Sequence, residues 1–173
     1  MTIVDQILLP ILVLFTAVAS VKDIKTNKIP NWIPLTLFVI WFLAIIVKWI
    51  LADMNLLGIQ AIDVFITVFK QVICAAVICC ILAASVVLVN KRRKRLGQPQ
   101  KSAFGMGDVK LLMVVCLYFG ISGSCACIIF ACLSFLIYIF IVRFSKKQKI
   151  SSAPFAPFIF IGEIISIIVL FVM

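Results

Sequence analysis

Long apolar runs broken by short polar segments are the main pattern of this chain. Runs over residues 4–21, 32–51, 62–89, 108–120, 122–142 and 155–173 carry almost no charge. A helix that crosses the ~30 Å hydrocarbon core of a bilayer needs about 20 mostly apolar residues, so each run predicts a membrane-spanning helix. The expected fold is all-α and polytopic, with about six transmembrane helices and residues 1–173 forming a single integral membrane domain. The fourth run is short for a full crossing. Gly120, Ser122, Gly123 and Ser124 predict a tight turn into the fifth, and a tilted or partly protein-buried helix, or a locally thin bilayer, accommodates it.

Charge placement then predicts orientation. Lys22, Lys25 and Lys28 follow the first run. Lys91, Arg92, Arg93, Lys94, Arg95, Lys101 and Lys110 flank the connection between the third and fourth, and Arg143, Lys146, Lys147 and Lys149 follow the fifth. These fourteen of the sixteen basic residues occupy alternate connections. Lys and Arg in short loops stay on the cytoplasmic side, so both termini are expected outside. Lys48 and Lys70 fall toward the other side, with Asp53 and Asp63. The Lys91 to Arg95 run reads first as a topology anchor touching anionic lipid headgroups, with a share in substrate binding as the alternative.

Composition agrees with a membrane chain. Of 173 residues, 65% are hydrophobic and 13% charged, with a mean hydropathy of +1.31; a soluble domain is about half apolar and a quarter charged. The net charge of +10 would suggest nucleic acid in a soluble protein, but the loop positions of the charges make lipid the expected partner. The first twenty residues lack a basic n-region and an AxA-like cleavage site, and so read as a retained span. All seven cysteines lie in apolar stretches, without the paired CxxC spacing of a zinc site. They are expected to pack as small apolar side chains. Histidine is absent, which excludes His-based nucleophilic catalysis and a His-ligated metal and leaves carboxylates as the acid and base groups near neutral pH. Gly105-Met106-Gly107 lacks the Lys-Ser/Thr ending of a phosphate-binding loop.

Two acids stand out. Asp23 ends the first run and Asp108 begins the fourth, so the inferred topology puts them at one membrane depth on the cytoplasmic side, although 85 positions separate them. Alone, Asp23 reads as an interfacial residue among lysines and Asp108 as a helix N-cap. Together at one depth they point to chemistry, because ionisable groups in the membrane are costly. Two close carboxyls do not both ionise cheaply; one stays protonated while the other acts as base on a shared water. Glu163, inside the last run, is expected to partner a basic residue on a neighbouring helix, with a role facing substrate as the alternative.

The residues around these acids carry a resemblance. Gly105-Met106-Gly107-Asp108-Val109-Lys110 resembles the GxGD signature of membrane aspartyl peptidases, in the GxGDxK form of the type IV prepilin peptidases. The segment from Asp23 to Ile29-Pro30-Asn31 is similar to that family's first-aspartate segment. Pro154-Phe155-Ala156-Pro157-Phe158 is similar to its Pro-x-Gly-Pro-Phe stretch, with Ala156 in the glycine's place. GxGD alone is weak, but the three in this order are a specific signal. The resemblance implies an aspartic endopeptidase of the prokaryotic cell membrane, with Asp23 and Asp108 catalytic. It would cut a short basic leader from type IV prepilin-like precursors at the cytoplasmic face, without a cofactor or metal.

Physical roles for the neighbours follow. Gly105 and Gly107 allow close backbone approach beside Asp108, so an extended substrate can lie there. Pro30 and Pro34 bracket the start of the second run, with Asn31 as its cap. Lys110 snorkels to the interface or tunes the acid pair, and Pro157 shapes the site. Larger relatives carry a paired-CxxC segment and methylate the new amino terminus; the expectation here is peptidase activity without methyl transfer, as in the small forms that serve Tad/Flp-type pili or archaeal flagellins. The alternatives are an ion- or proton-coupled transporter using the same acids and a catalytically inactive assembly paralogue. Presenilin-type peptidases share GxGD but need a longer chain and rank last.

Overall fold

The structure, a computed structural model, describes residues 2–26, 28–54, 56–58, 60–95, 106–146 and 154–172. Its elements are α1 (Ile3–Thr26), α2 (Trp32–Asp53), α3 (Ala61–Arg95), α4 (Met106–Lys146) and α5 (Ala156–Val172). The first four contain stretches long and apolar enough to cross a membrane, and α5 is a shorter apolar helix. The all-helical class is as expected. The count of about six is not reached: five helices form among the described residues. The reason lies in residues 108–142, where the two expected helices are one element broken at Gly120, with φ 67° and ψ −161°.

That break reverses the chain. Ser124 Oγ lies 3.3 Å from the Cys116 carbonyl oxygen, eight positions earlier, a separation of about 12 Å in an unbroken helix. Leu111, Leu112, Val114 and Val115 of the first arm and Cys127 and Ala131 of the second also share one core cluster. The reversal leaves carbonyls at the end of the first arm without intrahelical donors. Ser124 donates to Cys116 and Gly120, and Trp41 Nε1 to Leu117 at 3.0 Å. Buried irregular backbone at membrane depth is tolerated when the protein satisfies it in this way.

Polarity is arranged inside out. Leu14, Phe42, Phe65, Ile81 and Phe140 are exposed, whereas Thr16, Ser20, Asp23, Asp108, Ser124, Glu163 and Ser166 are buried. Apolar side chains turned outward suit hydrocarbon as solvent. The main cluster joins Leu12 and Ala19 of α1, Ile33 and Leu37 of α2, both arms of α4, and Phe155, Ala156, Phe158 and Ile159 at the start of α5. Helix α5 lies close against the second arm of α4: a Cβ on Gly162 would fall 2.4 Å from the Cys127 carbonyl oxygen. Small residues permit such contacts between membrane helices. Phe135 fastens the pair at the other end, edge-on to Phe155 and Phe158 with ring centroids 5.3 and 5.2 Å away.

Candidate active site

Both singled-out aspartates are buried, Asp23 to 5% exposure in the last turn of α1 and Asp108 to 8% in the first turn of α4. They belong to one end of the bundle. Ala19 and Ile33 from either side of Asp23, Leu111 and Leu112 just after Asp108, and Phe155 and Ala156 at the start of α5 belong to one apolar cluster. Two contacts tie the segment after Asp23 to the segment around Asp108. A Cβ on Gly107 would lie 2.9 Å from the Cβ of Ile29, and Lys110 Nζ donates to Asn31 Oδ1 at 3.0 Å.

Asp23 is held from across the chain. Its Oδ2 accepts the backbone N–H of Ala156 at 3.1 Å, the first residue of α5, where N–H groups lack intrahelical partners and the helix dipole favours a negative group. Pro157 follows, and proline suits the first turn because it has no N–H there to satisfy. One turn back on α1, Ser20 Oγ donates to the Ala156 carbonyl at 3.1 Å and to the Thr16 carbonyl at 2.8 Å. The start of α5 is therefore clamped through both its N–H and its C=O. The sequence reading missed this partner, assigning Pro157 a shaping role without seeing that Ala156 supplies the donor. The spacing of Thr16, Ser20 and Asp23, four and then three residues, was a visible signal of one polar face on α1.

Other expectations need correction. Asn31 precedes α2 but makes no side-chain capping bond; its oxygen is taken by Lys110 instead. At Gly107 the close approach is made by this chain: a Cβ there would meet the Ile29 side chain at 2.9 Å. Lys110 is exposed and bonded to Asn31, and Pro30 offers its carbonyl to the N–H of Ile33 at 3.2 Å. Gly105 lies outside the described residues. Glu163 is fully buried and, among the described residues, has no ion pair with Lys or Arg, against the expected basic partner. Among the described residues no three His, Cys, Asp or Glu side chains gather as a metal site.

Two cavities lie away from the acids. Of about 240 and 310 Å³, they share Asp5, Trp41, Lys48, Thr67 and Gln71 at the end where α1 and α3 begin.

Helices turned apolar-side outward around a buried polar face, with two carboxyls at one end, define an all-helical membrane protein built around acids. The chain matches the type IV leader peptidase family over residues 10–142 and belongs to that family. Both aspartates fall within the match, which supports a protease. No curated protein and no solved structure matches the chain.

Proposed function

We propose that the protein is a membrane aspartic endopeptidase that removes the basic leader from type IV prepilin-like precursors at the cytoplasmic face. The observation that carries this reading is the burial of Asp23 and Asp108 at one end of the bundle, in a chain of the leader peptidase family. One carboxylate takes a proton from water as the water oxygen bonds to the scissile carbonyl carbon. The other, protonated, gives its proton to the carbonyl oxygen. Collapse of the tetrahedral intermediate breaks the C–N bond: the departing nitrogen takes a proton from the carboxyl that drew it from water, while a hydroxyl of the intermediate returns its proton to the other, and the pair regains its starting state.

The topology follows from the basic connections. If the two arms of α4 each traverse the membrane core, six crossings place Lys22, Lys25 and Lys28, the Lys91 to Arg95 run and Lys146 on the side of the two acids. The reversal at Gly120 supports that arrangement. The precursor's apolar helix would remain in the bilayer while its leader junction enters between α1 and α4.

Co-expression with a tagged precursor, a short basic leader ending in glycine ahead of an apolar helix, tests the reading. Wild type should shorten it, with the new amino terminus at the junction. Asp23→Asn and Asp108→Asn should each insert normally and leave the precursor whole. Processing by either variant at the wild-type rate would exclude the acid pair.

A further inference from the structure

Glu163 has no part in that mechanism, and its surroundings are unusual. Its side chain is fully buried in the packing of α5 against α1 and α4, and neither carboxyl oxygen accepts a hydrogen bond from a described group. The polar side chains that face it are Thr16 of α1 and Cys127 of α4, with Ser166 one turn on along α5. Each has committed its proton. Thr16 Oγ1 donates to the Leu12 and Val13 carbonyls at 3.0 Å. Cys127 Sγ lies 3.8 Å from the Ile159 carbonyl, and Ser166 Oγ donates to Gly162 at 2.8 Å.

A carboxylate is acceptor-only, whereas a carboxylic acid brings its own donor. Among these neighbours an ionised Glu163 would have no cation, and as donor only the Thr16 hydroxyl, whose one proton two backbone carbonyls already share, at a large desolvation cost. The Thr16 hydroxyl, its proton already used, offers a lone pair. We infer that Glu163 is a neutral carboxylic acid that donates to Thr16 and positions the start of α5 against Asp23.

The consequence for the site is geometric and rests on the proposed peptidase reading. Thr16, Ser20 and Asp23 follow one face of α1; Glu163 and Ala156 stand seven residues apart on α5, about 10 Å at helical rise. The pairs Thr16 with Glu163, Ser20 with Ala156 and Asp23 with Ala156 thus form one seam on successive turns. Between membrane helices, lipid contact offers apolar side chains as much as protein contact does, so polar bonds and close packing carry the pairing. Removing the Glu163 donor frees α5 to shift and takes the Ala156 N–H away from Asp23.

The test uses the full chain in detergent or proteoliposomes. An infrared difference spectrum of wild type minus Glu163→Gln at neutral pH should show the C=O stretch of a protonated carboxyl; a carboxylate band in its place overturns the inference. Glu163→Gln, which keeps shape and a donor, should retain most precursor cleavage. Glu163→Leu and Thr16→Val should each lower it about 3- to 30-fold, with the double variant no worse than the weaker single one. Full cleavage by Glu163→Leu, or losses that multiply in the double variant, would remove the positioning role. A wild type that cleaves no precursor would defeat the peptidase reading alone. The infrared band and the thermal stabilities of the same variants would still decide the state and partner of Glu163.

Discussion

The two ends of the bundle use the same side chain in opposite ways. Where α1 and α3 begin, Asp5 and Asp63 act on their own neighbourhoods. Asp5 Oδ2 accepts from the Thr2 backbone N–H and hydroxyl at 2.9 and 2.7 Å, while its Oδ1 pairs with Lys48. Asp63 accepts the Gln60 N–H three residues earlier, at 3.3 Å. Both keep access to solvent, and their bonds start helices. At the other end Asp23 is buried, and its bond reaches 133 positions along the chain. An aspartate that caps its own helix serves the fold at little electrostatic cost. One that is buried at a helix end and bound by a different helix carries a cost that its local structure does not require, which makes it a candidate for function.

The hardest test of that distinction is neutralisation. Asp23→Asn or Asp108→Asn should reduce precursor cleavage by about three orders of magnitude or more, the scale of losing one member of a catalytic unit. Asp63→Asn should leave it within about twofold, since only a surface cap is weakened. Comparable losses at both ends would erase the contrast and make all of these acids structural.

The Ala156 bond sharpens the comparison. Ala156→Pro keeps a small apolar side chain and a backbone suited to a helix start but deletes the N–H that Asp23 accepts. A hydrogen bond to a charged group is worth about 1.5–3 kcal/mol, so cleavage should fall roughly 10- to 100-fold with insertion unchanged. Cleavage at the wild-type level would show that Asp23 does not depend on α5.

Glycines divide the same way. Gly107→Ala pushes a Cβ to within 2.9 Å of Ile29 and should cost about 1–3 kcal/mol as overpacking, lowering both Tm and cleavage. Gly120→Ala meets no atom nearer than Gln71 Cγ at 3.7 Å, yet it places a side chain at φ 67° and ψ −161°, a conformation confined almost wholly to glycine. Its cost, also about 1–3 kcal/mol, should lower Tm while leaving cleavage per folded molecule near wild type. Equal losses of cleavage would mean that the turn is coupled to the acids.

Legibility from sequence followed contact distance. Apolar runs, basic connections and the Gly120 turn depend on neighbours in the chain and were readable. So was the placing of Asp23 and Asp108 at one end of the bundle, because the alternation of spans alone implies it. The Ala156 donor, the capture of Asn31 by Lys110 and the surroundings of Glu163 each require helices from distant parts of the chain to pack in one register. No periodicity encodes that register. Asn31 shows the effect best: its position before α2 is right for a cap, but Lys110, 79 positions away, takes its oxygen. The helix count missed for a related reason, since a break with left-handed φ inside a continuous apolar run yields two arms of one element rather than two separated helices.

The smallest effect belongs to the Asp5 and Lys48 pair, which joins the start of α1 to the end of α2. Both side chains retain access to solvent, at 28% and 17%, so screening and side-chain entropy reduce the pair's worth to about 1 kcal/mol or less. Asp5→Asn keeps an oxygen able to accept from Thr2 and removes only the charge. It should lower Tm by a few degrees at most at low ionic strength, and less at high salt as screening weakens the wild-type pair. Cleavage should be unchanged, because this end of the bundle holds the helices together and the other end holds the acids. A loss of cleavage in Asp5→Asn without a loss of Tm would mean that the cavity beside Lys48 communicates with Asp23 along α1, and the division between the two ends would have to be redrawn around that helix.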